Sequence, residues 1–157
     1  MIEFHKSHGG EGTILTTKVE DPSRFGVILS EDTGKIKNFI EKPKEFVGDM
    51  INAGIYLFST SMIDRIENRP TSIEKEIFPV MAKEGQLYTF ALKGFWKDIG
   101  QPLDFLKGVT LYLNHLDGNN DERLNKGSNI IGNVMIHPTA VVSEDAFIGP
   151  NVSIGEN

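Results

Sequence analysis

Three clusters of residues carry types and spacings that could do chemistry. Glu41-Lys42-Pro43 sets a carboxylate and an ammonium side by side ahead of a rigid proline. On a strand end such an ammonium can neutralise a phosphate as a point charge, although a solitary surface Lys is ordinarily a solvated charge. Asn52-Ala53-Gly54 is followed by Glu74 within Thr71-Ser72-Ile73-Glu74-Lys75-Glu76. An amide and a carboxylate together can hold adjacent sugar hydroxyls as donor and acceptor, and Gly54 leaves room for a ligand beside the backbone. The structural alternative is favoured on these residues alone: Gly54 relieves a bend, and Glu74 closes a capping box with Thr71 as N-cap. Asp98 stands in Phe95-Trp96-Lys97-Asp98-Ile99-Gly100 among large apolar side chains. A carboxylate there needs a partner, either Mg²⁺ on substrate phosphates or the N–H groups of its own turn. The four His, at 5, 8, 115 and 137, form no ligand-spaced set with carboxylates, so a His-based metal site is not expected.

The elements that must position these groups are readable from pattern. Residues 1–8 read as a short helix ended by Gly9-Gly10. β-Branched density predicts a strand over Thr13–Val19 and a shorter one over Phe25–Leu29; the turn Glu31–Lys35 then returns the chain through the half-buried strand Ile36–Glu41. Ile51–Phe58 is a stronger strand, Ser61–Ile66 is helical, and a helix after Thr71 buries Ile73, Ile77, Val80 and Met81, with Pro79 as a kink and Gly85 as its end. Tyr88–Leu92 is a further strand. Pro102 opens a helix whose Leu103, Leu106, Val109, Leu113 and Leu116 keep helical spacing. Residues 117–128 are polar, turn-rich and aperiodic, and read as a linker.

Beyond the linker the period changes to six. Ile130, Ile136, Val142, Ile148 and Ile154 recur at that interval, and Val134, Ala140, Ala146 and Val152 follow each of the first four by four residues. Such a repeat makes one flat face per hexad, and three faces close a triangular coil of about 18 residues, the left-handed parallel β-helix. The stretch 129–157 holds about one and a half coils at that period. A chain that starts in a helix and stops in a solenoid reads as a fragment, or a short relative, of a larger protein.

The 157 residues include 16 Lys and Arg against 22 Asp and Glu, a net charge of −6. That field repels polyanions, so nucleic acid is not an expected partner. No apolar run reaches the roughly 18 residues of a membrane span, so no membrane is expected as a partner. With no Cys, no disulfide or thiolate site is possible, and without a secretory signal the expected address is cytoplasmic.

In this order, and followed by hexapeptide repeats, the clusters resemble the sugar nucleotidyltransferases, most closely the mannose-1-phosphate guanylyltransferase family. The matching stretches are Glu41-Lys42-Pro43, Asn52-Ala53-Gly54-Ile55-Tyr56, Thr71 to Pro79, and Gly94-Phe95-Trp96 with Asp98-Ile99-Gly100-Gln101-Pro102. The resemblance implies an α/β fold: the sugar-binding half of a Rossmann-like domain, a mixed sheet with flanking helices, over 1–116, then the linker 117–128 and a truncated β-helix over 129–157. It implies transfer from GTP to mannose 1-phosphate, giving GDP-mannose and pyrophosphate. By resemblance Lys42 holds the sugar phosphate, Asn52 and Gly54 line the sugar pocket, Glu74 binds sugar hydroxyls, Glu41 is a further substrate-binding residue, and Asp98 is one of two aspartates on Mg²⁺. Lys42 and Asp98 are the catalytic candidates.

Two departures accompany the resemblance. Lys97 stands where relatives carry an apolar residue and should point away from Asp98. The family's glycine-rich nucleotide loop with its Arg, and its first metal-binding aspartate, have no counterpart, since Gly9-Gly10-Glu11-Gly12 follows a helix and precedes a strand, the reverse of a phosphate-cradling order. The chain is therefore expected to be inactive alone, with strand Thr13–Val19 at an exposed sheet edge and with assembly as a homo- or hetero-oligomer. The rival readings are a non-catalytic regulatory subunit of a nucleotidyltransferase complex and a hexapeptide acyltransferase using His137.

Overall fold

The computed structural model describes residues 1–156; Asn157, the last residue of the expected repeat domain, lies outside the described residues. The chain forms two compact units, Met1–Lys93 and Gly94–Asn157.

The first unit is a mixed sheet with helices. In chain order it holds α1 (Ile2–His8), β1 (Gly12–Lys18), β2 (Gly26–Ser30), β3 (Ile36–Glu41), β4 (Met50–Phe58), a 3₁₀ segment (Thr60–Arg65), a π-helical turn (Ile73–Ile77), α2 (Phe78–Lys83) and β5 (Leu87–Ala91). The strand order is β3-β2-β4-β1-β5. Only the β1–β5 pair is parallel; the other neighbours are antiparallel. Strand β1 is thus interior, between β4 and β5, and not the exposed edge expected of it. Its β-branched run explains the placement: Thr13, Ile14 and Thr16 are fully buried, as suits a strand covered on both faces.

The core lies between the sheet and α2, where Phe78 and Met81 meet Ile14, Ile28, Ile36, Phe39 and Leu87. Burial along β3 falls at Ile36 and Phe39, three apart rather than alternating. The cause is a register shift, since Ser30 pairs with Ile36 while Leu29 pairs with Asn38. One extra β3 residue restores both apolar side chains to the core face. Helix α2 corrects two expectations. Val80 is exposed, and Phe78 and Ala82 join Ile77 and Met81 inside. Pro79 sits in the first turn of α2, where its missing N–H costs nothing, and the preceding π-helical turn takes up the change of pitch.

The second unit holds α3 (Pro102–Gly118), β6 (Asn125–Gly127), β7 (Ile130–Ile136) and β8 (Val152–Ile154). Pro102 begins α3 as predicted, but Leu103 and Leu106 are exposed, and the helix is anchored by Leu113 and Leu116 at its other end. The stretch 117–128 is not a loose linker. Helix α3 continues to Gly118, Leu124 packs on Leu113 and Leu116, and Asn125–Gly127 pairs with β7. The division between compact units falls ahead of α3, at Lys93/Gly94.

Strands β7 and β8 are parallel, with Val134 opposite Val152, Met135 opposite Ser153 and Ile136 opposite Ile154, and an isolated bridge joins Ile130 to Ile148. Every pairing spans the same sequence interval. All nine period-six positions are buried or half-buried, whereas the intervening Ile131, Val141 and Phe147 are exposed. Between the paired strands, the Asn133 amide donates to Asn151 Oδ1 at 2.9 Å and to Asn114 Oδ1 of α3 at 2.6 Å, while the Asn151 N–H donates to Asn133 Oδ1 at 2.8 Å. No helix among the described residues is long and apolar enough to cross a membrane.

Candidate functional site

The site in the first unit is built by an irregularity in β4. Ile14 of β1 pairs with Tyr56 and Thr16 with Asn52, so β4 spends three residues, Ala53, Gly54 and Ile55, opposite the single Leu15. The excess chain bulges at Gly54, whose φ is +78°; a Cβ there would meet nothing within 4 Å. Glycine is therefore required by the dihedral and not by crowding from the protein. The bulge frees the Gly54 N–H from the ladder, and it donates to Asn52 Oδ1 at 2.9 Å. With its oxygen committed, the Asn52 amide donates to Tyr56 Oη at 2.7 Å and to Glu74 Oε1 at 2.9 Å. Tyr56 in turn donates to the same Glu74 oxygen at 3.4 Å. Asn52 is buried, while Glu74 and Tyr56 are half-buried.

Glu74 is free for this role because it does not cap the helix. Ser72 is the N-cap: its hydroxyl accepts the Lys75 N–H at 3.3 Å, and its own N–H donates to Glu76 Oε1 at 3.0 Å. The expected Thr71 and Glu74 capping box is thus displaced by one residue at the cap and by two at the carboxylate. The π-helical turn sets the wider spacing by bringing a residue four positions on back over the cap.

Glu41 and Lys42 lie at the end of β3. Glu41 is the register partner of Gly26 on β2, and the next β2 residue, Val27, pairs with Ile51 of β4. A row from Glu41 through Gly26 to Asn52 therefore crosses three strands. Any Cβ on Gly26 would stand 2.6 Å from Phe39 Cζ and 3.0 Å from Glu41 Oε2, so glycine lets the carboxylate lie over β2. The buried Glu41 Oε2 has no hydrogen-bond partner. Its other oxygen pairs with Lys42 Nζ at 3.4 Å, and the Lys42 side chain is exposed. Lys42 has φ +46°, the left-handed region that costs a side-chain-bearing residue energy and is commonest where function holds it. Burial raises the Tyr56 hydroxyl above the ordinary phenol range, and the Glu74 and Glu41 charges add to this against the Asn52 hydrogen bond.

The structure thus brings Asn52, Gly54 and Glu74 into one hydrogen-bonded group, with the Glu41–Lys42 pair on the same sheet. Tyr56 and Gly26 belong with them but were not among the candidates from sequence. Tyr56 was readable as the aromatic four residues beyond Asn52, whereas nothing in the sequence ties Gly26 to Glu41 before the strand register is known.

Asp98 belongs to the second unit. It is half-buried, and Oδ1 accepts the Gly100 N–H at 2.9 Å, the turn bond of the structural alternative. Lys97 Nζ pairs with the buried Asp104 of α3 at 3.1 Å and not with Asp98. Among the described residues no group of three or more His, Cys, Asp or Glu could hold a metal ion. One carboxylate with an oxygen engaged in its own turn does not make a Mg²⁺ site, so the residues present do not fit the ion by themselves.

Residues 1–115 match the nucleotidyl transferase family, and the chain belongs to it. A chain from Bacillus anthracis, assigned as a glucose-1-phosphate thymidylyltransferase and solved with sucrose, superposes with a TM-score of 0.58 at 24% identity, covering 81% of this chain and 50% of that one; it supports the α/β fold. Among curated relatives, the mannose-1-phosphate guanylyltransferase catalytic subunit beta of Danio rerio is 57% identical over 92% of this chain and 41% of its own length. Mannose-1-phosphate guanylyltransferase 1 of Arabidopsis thaliana is 53% identical over 98% of this chain and 43% of its own. The chain therefore spans about two fifths of the length of these relatives.

Proposed function

We propose that this chain is the sugar-phosphate-binding part of a mannose-1-phosphate guanylyltransferase. The observation that carries the reading is the Asn52–Tyr56–Glu74 network beside the Glu41–Lys42 pair on one sheet. A carboxylate oriented by an amide and a phenol leaves its second oxygen for sugar hydroxyls, and an exposed ammonium at the same strand ends suits a phosphate. The similarity to enzymes named for mannose 1-phosphate supports that sugar over others.

In the whole reaction a phosphate oxygen of mannose 1-phosphate attacks the α-phosphorus of GTP, a new P–O bond forms, and the bond to the leaving pyrophosphate breaks. GDP-mannose and pyrophosphate result. In this chain Lys42 neutralises the attacking phosphate, Glu41 and Glu74 fix the sugar, and Asn52, Tyr56 and Gly54 hold Glu74 in place. No covalent nucleophile is needed. A Mg²⁺ contribution from Asp98 follows from the resemblance alone, and no step is assigned to it.

Residues 129–156 are read as the first coil of a left-handed parallel β-helix, supported by the constant interval of the β7–β8 pairing and by the burial of the period-six positions. A cytoplasmic enzyme that self-associates, or pairs with a related chain, completes the reading; exposed Ile131, Val141 and Phe147 supply apolar surface for it.

Calorimetric titration with mannose 1-phosphate tests the proposal. Binding should weaken by about 1–3 kcal/mol in Lys42→Ala, the usual worth of a charged hydrogen bond. No binding by the folded parent chain, or equal binding by both, overturns it.

A further inference from the structure

We infer that His5, His8, Thr13 and Ser59 form a pH-sensitive latch that holds α1 on the sheet while both imidazoles are neutral. None of these four residues takes part in the site described above. Helix α1 has seven residues and buries none of them fully, so it cannot be held by a core of its own. It touches the sheet through rings and hydrogen bonds. Phe4 lies 5.4 Å from Phe90, and the His8 ring stacks on Tyr88 at 3.9 Å between centroids, tilted by 10°. His5 Nδ1 and His8 Nε2 approach the same atom, Thr13 Oγ1, at 2.9 and 2.8 Å. Thr13 is fully buried.

The backbone fixes the direction of this chain of hydrogen bonds. The Gly10 N–H donates to His8 Nδ1 at 3.0 Å, so Nδ1 carries a lone pair and the ring proton sits on Nε2. That proton goes to Thr13 Oγ1. The single Thr13 hydroxyl proton then goes to His5 Nδ1, which leaves His5 Nε2–H to donate to Ser59 Oγ at 3.3 Å. Every group is satisfied with two neutral imidazoles. A proton added to His8 would set Nδ1–H against the Gly10 N–H. On His5 it would give buried Thr13 two donors and leave its own proton without an acceptor.

The titratable groups of the surrounding elements are Tyr88, with Lys35 bridged to it, Glu11 and Glu84, which share Arg65, and, on α1 itself, the paired Glu3 and Lys6 and the amino terminus at Met1, whose carbonyl accepts the His5 N–H. No carboxylate hydrogen-bonds to either ring among the described residues. Burial, with His5 second, lowers the His8 pKa. A lowered folded-state pKa means that the docked form is fully stabilised above the ordinary imidazole range. That stabilisation fades as pH falls through the range, where the undocked helix takes up protons first.

Nitrogen-detected NMR of the imidazoles in the whole chain, from pH 8 to pH 5, tests the latch. At pH 8 both rings should carry their proton on Nε2. On acidification His8 should titrate below the ordinary imidazole range, with loss of the His8–Tyr88 ring-current shift and a several-fold loss of exchange protection over residues 2–8. Thr13→Val should weaken docking already at pH 8, and Thr13→Ser should restore it. A His8 proton on Nδ1 at pH 8, or titration of His8 with docking unchanged, overturns the inference. Should Thr13→Val fail to fold, the tautomers of the unmodified chain still decide.

Discussion

Asn52 and Glu74, separated by 22 positions in the chain, are joined by a hydrogen bond from Nδ2 to Oε1 of 2.9 Å. Both Asn52 amide hydrogens are committed, to Tyr56 and Glu74, and its oxygen takes the Gly54 N–H. In the proposed site Asn52 has no proton left to donate to the sugar and acts by holding Glu74. Removing it should loosen Glu74 and orphan the Gly54 N–H at once.

Gly54 can be tested apart from the ligand. Because its φ is +78° in open surroundings, Gly54→Ala should destabilise the chain by about 1–2 kcal/mol through strain alone. Asn52→Ala should cost about 1–3 kcal/mol through lost and orphaned hydrogen bonds. Urea denaturation measures both. A neutral Gly54→Ala would show that the bulge does not depend on the left-handed dihedral.

Lys42 should separate stability from binding. At φ +46° a glycine relieves strain, so Lys42→Gly is expected to raise stability by up to about 1 kcal/mol while weakening mannose 1-phosphate binding as much as Lys42→Ala does. Lys42→Ala keeps the strain and should not stabilise. Thermal melts paired with calorimetry check the contrast; a destabilised Lys42→Gly would mean that the Glu41–Lys42 ion pair outweighs the backbone.

What the sequence left unread follows from shifts of one or two residues. The strands were legible because β-branched runs and turn residues declare themselves locally. The β3 burial spacing and the β4 bulge depend on register with a partner strand, which no local pattern carries. Thr71 and Ser72 are both competent caps, and only the π-helical turn decides for Ser72 and so releases Glu74. Leu103 and Leu106 keep helical spacing yet remain exposed, because spacing marks an apolar stripe without saying what covers it. The aperiodic stretch 117–128 hid Leu124, a single core residue among polar neighbours. The period-six positions in 130–154, by contrast, are the ones that are buried or half-buried, while Ile131, Val141 and Phe147 between them are exposed.

The asparagine stack in the second unit should be costly to break. Asn133 is buried and satisfied by Asn114 and Asn151, so Asn133→Ala is expected to destabilise this unit by about 1–3 kcal/mol. Hydrogen exchange should show the loss along β7 and β8 and at the end of α3. An unchanged β8 would mean that the strand pairing stands without the stack.

The turn after α3 carries an electrostatic clasp that titration can read. Arg123 donates from Nε and Nη2 to the two Asp121 oxygens at 2.8 Å each. These side-chain bonds, and then the Arg123 backbone N–H, lower the Asp121 pKa to about 2. The pairing is therefore complete above the ordinary carboxylate range and is lost as pH falls toward 2. Carboxyl NMR should find Asp121 still ionised near pH 3, and Arg123→Ala should return it toward the usual Asp range. An ordinary Asp titration in the parent would show that the clasp does not close in solution.

Capping and sugar binding can be assigned to different residues of one short segment. If Ser72 caps the π-helical turn, Ser72→Ala should cost about 1 kcal/mol of stability, and Thr71→Ala, whose hydroxyl donates only to the Arg69 carbonyl, should stay within about 0.5 kcal/mol of the parent. Glu76→Gln should also weaken the cap, because the Glu76 carboxylate accepts the Ser72 N–H and pairs with Arg69. Glu74→Gln makes the opposite prediction. It keeps the side-chain length and an acceptor for Asn52, so folding should change little, while mannose 1-phosphate affinity should fall by about 1–3 kcal/mol as the charged hydrogen bonds to sugar hydroxyls are lost. Paired denaturation and calorimetry on the four variants separate the two functions. Loss of stability without loss of affinity in Glu74→Gln would return that residue to a purely structural role.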